Sequence, residues 1–310
     1  MSDMWIIAET AQLAAELVSG AKDISRGGAV VAFVGGDEAA VADVIKNGAD
    51  KAYALPLPAD STWESYVPVL TEKAKAEKPR AIMVGISRRG RDMAAQIAAL
   101  LDVPCISDCK MLKIEGAGIT AERMVYGGMA TKTMTAAAET IVATFGARAF
   151  EPLMPDPSRT GPVETLPLAP SVVKVTVRKG KEAESVNLSD ANLVVGVGRG
   201  FVEQSELALA DALAKAMGAE IACSRPIAEF FKWLPEERYL GISGQVIKPQ
   251  VYLAAGVSGQ AQHVYGVRDA KIIVGVNKDE NAPILQLSDY FIVGDLKEVL
   301  PALTKAFAER

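Results

Sequence analysis

The sequence predicts an α/β chain of two domains, each a mostly parallel sheet with flanking helices. Short apolar, β-favouring runs recur between amphipathic helical stretches along most of the chain. The alternation lapses once, between Cys105 and Arg178, and resumes at Asn192. A chain of 310 residues, half of them hydrophobic and 23% charged, can bury two cores of ordinary size.

Residues 4–8 read as a first buried strand, and Thr10 is placed to cap a helix carrying Leu13, Leu17 and Ile24 on one face. Residues 28–35 form a second strand ending in a Gly-Gly-Asp turn, and a helix through Val41 and Ile45 stops at Gly48. A short strand at 52–55 leads through Pro56 and Pro58 to a helix from Ser61 through Val69, Leu70 and Ala74. The apolar run 81–86 precedes a helix with Met93, Ile97, Leu100 and Leu101 on one face. Arg88, Arg89 and Arg91 therefore fall on a strand-to-helix loop and call for an anionic neighbour, because cations oppose the positive end of the helix dipole.

From Cys105 to about Pro152 the pattern turns to alternating β segments, read as a smaller antiparallel addition. Six prolines between 152 and 170 predict an extended connection without regular structure. Residues 171–178 alternate cleanly and read as a last strand of the first domain, and 179–184 as the linker. The domains are therefore set at 1–187 and 188–310.

The second domain opens on a buried strand at 192–197 that runs into Gly198-Arg199-Gly200, followed by a helix with Leu209, Leu213 and Met217. Gly196, Gly198 and Gly200 fall one residue short of the dinucleotide fingerprint, but suit a backbone cradle for a phosphate with Arg199 as counter-charge. A strand at 220–223 ends in Ser224 and Arg225, a third strand end is expected at Gly241-Ile242-Ser243-Gly244, and the run 251–255 ends in Ser258 to His263. Asn277 follows the next strand and Asp295 the last. His263 is the only histidine, placed one turn into a helix whose free N–H groups point above the sheet, with Gln262 as a second donor. Polar groups at every strand end suit a ligand lying across the carboxyl edge of the sheet.

Composition excludes other classes. A net charge of −5 gives no electrostatic footprint for nucleic acid. No run reaches the roughly 20 apolar residues of a membrane helix, and residues 1–20 lack the basic start of a signal peptide, so a cytoplasmic chain is expected. Cys105, Cys109 and Cys223 with a single histidine do not make a zinc or iron-sulfur site, and are expected to be buried thiols.

The motifs VGVGRG at 195–200, CSRP at 223–226, GISG at 241–244, KPQVYLAAGVSGQAQH at 248–263, VNKDENAPI at 276–284 and DYFIVGDL at 289–296 resemble the alpha subunit of electron transfer flavoprotein. The resemblance implies a Rossmann-like C-terminal domain holding FAD, an electron carrier rather than an enzyme, and a beta subunit completing a heterodimer. It implies electrons shuttled between flavoprotein dehydrogenases of the acyl-CoA type, as in fatty acid β-oxidation, and a downstream acceptor. Arg199, Gly200 and Ser224 would contact the cofactor, Arg225 would lie over the isoalloxazine, and Ser243 would bond flavin N5. His263 would sit by the N1 and C2 carbonyl edge, Arg225 and His263 serving as the cations that raise the potential. The same stretches add Leu240, Gly241, Ile242, Gly244, Ser258, Gly259, Gln260, Ala261, Gln262, Asn277, Asp295 and Leu296 to the cofactor site. Many members of the family carry Gln and Thr where this chain has Ile242 and Ser243, which removes a polar contact and keeps a hydroxyl. Two rival readings stand beside this one. The first is an NAD-dependent enzyme on a sheet like that of deoxyhypusine synthase, with Lys278 as its catalytic candidate. The second is a nucleotide-sensing module centred on residues 1–100.

Overall fold

The computed structural model describes residues 3–116, 118–171, 173–178, 188 and 190–309. The chain divides into two compact units, Met1–Val125 with Ala130–Lys179, and Tyr126–Met129 with Gly180–Arg310. The linker expected at 179–184 lies outside the described residues, as does Asn187 at the expected domain boundary.

The strands of the first unit are β1 (Met4–Ala8), β2 (Val30–Gly35), β3 (Lys51–Leu55), β4 (Ala81–Gly85), β5 (Cys105–Ile106), β6 (Cys109–Glu115), β7 (Gly118–Val125), β8 (Ala130–Ala137), β9 (Ile141–Phe145) and β10 (Val163–Thr165). Seven of them form a parallel sheet in the order β10-β3-β2-β1-β4-β9-β5, and β6, β7 and β8 form the antiparallel addition. Alternation along β1 sends Met4, Ile6 and Ala8 into one core and Trp5 and Ile7 into the other, so both faces of the sheet are covered. Helices α1 (Ala11–Ser25), α2 (Glu38–Val41), α3 (Asp43–Lys46), α4 (Val67–Glu77) and α5 (Arg88–Leu101) follow the strands. Thr10 caps α1, its hydroxyl oxygen accepting from the Leu13 N–H at 3.3 Å.

Four expectations for this unit need correction. Residues 173–178 form no strand: the edge beside β3 is taken by β10, and this stretch is held instead by the Val175 N–H to the Asp60 carbonyl and by Arg178 to the Ala59 and Ser61 carbonyls. The proline tract does contain a strand, β10, because Pro162 and Pro167 flank it and leave its own N–H groups free to bond. The arginines lie in the first turn of α5 rather than on a loop. Ser87 caps that helix by accepting from the Gly90 N–H, and the anions near Arg89 and Arg91 are Glu64 at 3.3 Å and Asp108 at 3.5 Å of the same chain. Cys109 and Cys223 are buried, but Cys105 is exposed.

The second unit holds β11 (Leu193–Val197), β12 (Glu220–Cys223), β13 (Val251–Ala255), β14 (Ile272–Asn277) and β15 (Tyr290–Val293), all parallel, in the order β12-β11-β13-β14-β15. This is a doubly wound sheet in the 2-1-3-4-5 order, and the winding reverses between β11 and β13. Helices α6 (Leu207–Met217) and α9 (Leu296–Ala308) pack on Val195, Val197, Leu253, Ala255 and Val276. The opposite face carries Val194, Tyr252, Ala254 and Ile273, covered by Leu240, Ile247, Val257 and Ile284. The single-turn helices α7 (Ala261–Val264) and α8 (Pro283–Leu287) follow β13 and β14. Residues 241–244 lie in a loop, not at a strand end as expected. Two isolated parallel bridges flank it, Cys223 with Tyr239 at the end of β12 and Leu240 with Gln245, and its glycines turn the chain back on itself. No helix among the described residues is long and apolar enough to cross a membrane.

Candidate functional site

The carboxyl ends of β11, β12, β13 and β14 open onto a cavity of about 1080 Å³, slightly above the roughly 300–1,000 Å³ usual for small-molecule and cofactor sites. It lies where the winding of the sheet reverses, the place where an open α/β sheet leaves a crevice between diverging connections. Glycine makes that crevice possible. A Cβ on Gly198 would stand 2.4 Å from the Gly256 carbonyl oxygen, and one on Gly200 would stand 2.5 Å from the Gly256 Cα, so the loops after β11 and β13 meet backbone to backbone. The Gly198 N–H is spent on the Ala255 carbonyl and the Gly200 N–H on the Gly256 carbonyl. These two amides fasten the loops together, so the phosphate cradle expected of them is not available.

The wall brings together most of the residues singled out in the sequence. Arg199 and Gly200 come from the loop after β11, Ser224 and Arg225 from the end of β12, and Ile242 and Ser243 from the 241–244 loop. Ser258, Gln260, Gln262 and His263 come from the segment after β13, and Asn277 from the end of β14. Asp295 and Leu296 line an adjoining hollow of about 120 Å³, which also touches Gly200, Gly256 and Asn277. Leu240, Gly241, Gly244, Gly259 and Ala261 are not on the cavity wall. Leu240 belongs to the core, and Gly259 turns the chain at φ +86° where a Cβ would meet the Ile284 backbone nitrogen at 2.2 Å. Lys278 faces the adjoining hollow.

Two polar atoms give this wall its character. The Ser224 hydroxyl and His263 Nδ1 are buried with no hydrogen-bond partner. A buried polar atom without a partner is rare and costs on the order of 1–3 kcal/mol, so each is suited to a ligand that supplies the missing bond. His263 is 7% exposed, and its Nε2 lies 2.8 Å from the hydroxyl of Tyr252, itself fully buried on β13. Burial pushes the imidazole down to about 4, opposed by the nearby Leu240 carbonyl. His263 is thus neutral at pH 7, and not the cation expected from the sequence. The dipole argument also weakens, because α7 is a single turn.

Cationic charge near the cavity comes from Arg199 and Arg225. Arg225 lies alongside Glu229, Nε to Oε2 2.7 Å, with more than half of its side chain exposed. Ser243 Oγ is 3.0 Å from the Tyr239 hydroxyl, so its position is set by a buried phenol the sequence reading missed. Phe231, also missed, lines the cavity and stacks on Trp233 with centroids 4.7 Å apart. The aromatic run at 230–233 and the Tyr two residues before Gly241 were the available signals. No group of three or more His, Cys, Asp or Glu among the described residues could hold a metal.

Comparison with known proteins places this architecture. Residues 5–171 match the family model described as "Electron transfer flavoprotein domain", and residues 187–268 match "Electron transfer flavoprotein FAD-binding domain". Protein FixB of Salmonella typhimurium is 39% identical over 311 residues, spanning 99% of this chain and 98% of that protein. Protein FixB of Escherichia coli O157:H7 shows the same identity and coverage, and that of Escherichia coli O7:K1 is 38% identical over 321 residues.

Proposed function

This chain belongs to the electron transfer flavoprotein family as an alpha-type member, and from that premise we propose how its residues hold and tune the cofactor. Its role is electron transfer and its cofactor is FAD, carried by the second unit. Family members work with a beta subunit and with dehydrogenases, and are carriers rather than enzymes with a substrate of their own. A stand-alone NAD-dependent enzyme is not favoured.

Bound FAD supplies the electron storage; the residues of the chain supply binding, orientation and field. The Ser224 hydroxyl, buried at the end of β12 without a partner, would donate to the cofactor, and Ser243, steadied by Tyr239, would offer its hydroxyl to the flavin ring. Arg225 would hold its permanent charge near the ring system and favour the reduced, more electron-rich cofactor, attenuated by Glu229 and by solvent. Arg199 would meet the phosphates, with Gln262, Ser258 and Asn277 along the remaining wall and Asp295 and Leu296 at the adjoining hollow. His263 acts as a neutral donor. Ile242 contributes no polar group where many relatives have an amide, which keeps one side of the site apolar.

The chain works in the cytoplasm as a heterodimer with a beta subunit, taking electrons from an acyl-CoA dehydrogenase type of donor, as in fatty acid β-oxidation, and passing them to a downstream acceptor. Bifurcation of electron pairs would place a second flavin in the beta subunit, and two flavins per heterodimer is its signature.

The observation that carries the site assignment is the pair of partnerless buried atoms, Ser224 Oγ and His263 Nδ1, on one cavity wall. The test is flavin content and affinity of the full chain purified with its beta subunit. Ser224→Ala removes about 1 kcal/mol of hydrogen bonding and weakens FAD binding roughly five-fold. A colourless complex that binds no FAD, or a Ser224→Ala variant that binds it as tightly as wild type, refutes the assignment.

A further inference from the structure

We infer that Tyr252 is a positioning residue of this site: its buried hydroxyl donates to His263 Nε2 and holds the imidazole in the Nδ1–H tautomer. The argument runs from hydrogen-bond satisfaction. Tyr252, the second residue of β13, is fully buried, and among the described residues the recorded partner of its hydroxyl is His263 Nε2 at 2.8 Å. A buried O–H must donate, and the acceptor recorded for it among the described residues is the Nε2 lone pair. The proton on the ring is thereby assigned to Nδ1. A second observation agrees: the Leu240 carbonyl stands close enough to the imidazole to act on it as an acceptor, and an acceptor requires an N–H. With Nε2 engaged by a donor, that N–H is Nδ1. That carbonyl aside, Nδ1 is without a hydrogen-bond partner.

The arrangement is built from the sheet outward. Tyr252 pairs with Val194 on the neighbouring strand β11, and its phenol lies over Gly196, where any Cβ would stand 2.1 Å from the phenol oxygen. Glycine at 196 is what admits the hydroxyl to the β11–β13 seam. From there it reaches across the segment after β13 to a residue 11 positions further along the chain. The phenol does not ionise in any ordinary pH range, since burial raises it further from its usual value, so its donor role persists. A ring free to adopt either tautomer would present donor or acceptor to the cofactor at random; the Tyr252 bond removes that choice.

The consequence for the flavin rests on the FAD reading above, whereas the tautomer does not, so the two fail separately. Because His263 is the only histidine, ¹⁵N labelling of the alpha chain in complex with an unlabelled beta subunit gives one imidazole to follow. Long-range ¹H–¹⁵N spectra of the wild-type complex should show a protonated Nδ1 and an unprotonated Nε2, without FAD and with it. In Tyr252→Phe the ring should become a mixture, with the Nε2–H form rising several-fold. The flavin midpoint potential should change relative to wild type at equal flavin loading, a readout that loss of packing alone would not couple to the tautomer. A wild-type ring protonated on Nε2 overturns the inference even if Tyr252→Phe does not fold. A folded Tyr252→Phe complex with the wild-type tautomer overturns it too, and a shifted tautomer with an unmoved potential overturns its reach to the cofactor. A wild-type complex with the expected tautomer but no bound FAD overturns the cofactor reading instead.

Discussion

Acid should destabilise the second unit through one side chain, His263. The imidazole is 7% exposed and burial pushes it from an ordinary 6.5 down to about 4. Its folded-state value lies below its unfolded one, so below pH 6.5 the unfolded chain binds a proton that the folded chain refuses, and protonation favours unfolding. The stabilisation is complete above about pH 6.5 and is lost as pH falls through the window from 6.5 to 4. The full difference is worth roughly 3 kcal/mol, of which about 2 kcal/mol is gone by pH 5. At pH 5 most carboxylates are still ionised, and no other imidazole exists to blur the result. Two assays read it: the imidazole proton resonances of the full chain titrated by NMR, and urea unfolding of wild type against His263→Gln between pH 7 and 5. Wild type should lose stability relative to the variant as the pH falls, with the NMR midpoint near 4. A midpoint close to 6.5, or parallel stability curves for the two proteins, would refute the burial argument and with it the neutral donor.

Three further outcomes follow from the same structure. Gly198→Ala places a Cβ 2.4 Å from the Gly256 carbonyl and 2.7 Å from the Val257 Cα, backbone that cannot swing aside. It should cost about 1–3 kcal/mol and weaken FAD binding, measured by thermal unfolding and flavin content, and a wild-type melting profile would contradict the close approach. Arg225→Ala should lower the flavin potential while leaving the fold intact, because the side chain is largely exposed and its one recorded partner is Glu229; an unmoved redox titration removes Arg225 from its role. Native thiol labelling with a disulfide reagent should modify Cys105 alone at neutral pH. Cys109 and Cys223, buried and pushed up to about 12, should react only on unfolding, and rapid modification of all three would show that those sites are open.

The strand and helix content of both units was legible in the sequence because it is local. The continuous apolar run at residues 4–8 and the cap at Thr10 need only neighbouring residues to be read, and the same holds for the buried runs at 193–197 and 251–255. Family and cofactor were legible for a different reason: short motifs with fixed order and spacing survive as text. The sheet edge was not legible. Residues 171–178 alternate cleanly yet the described ones form no strand, whereas the less regular 163–165 pairs with β3, since pairing depends on where a chain arrives and not on how well it alternates. The chemistry of the site was decided by tertiary structure in the same way. The sequence offers His263 as an ordinary histidine and Tyr252 as an ordinary strand residue, 11 positions apart. Only the packing of β13 under its own loop, with Gly196 leaving room, withdraws both from water and turns one into the donor that sets the state of the other. Solvation and proton placement are properties of a three-dimensional neighbourhood, and a linear string does not contain that neighbourhood.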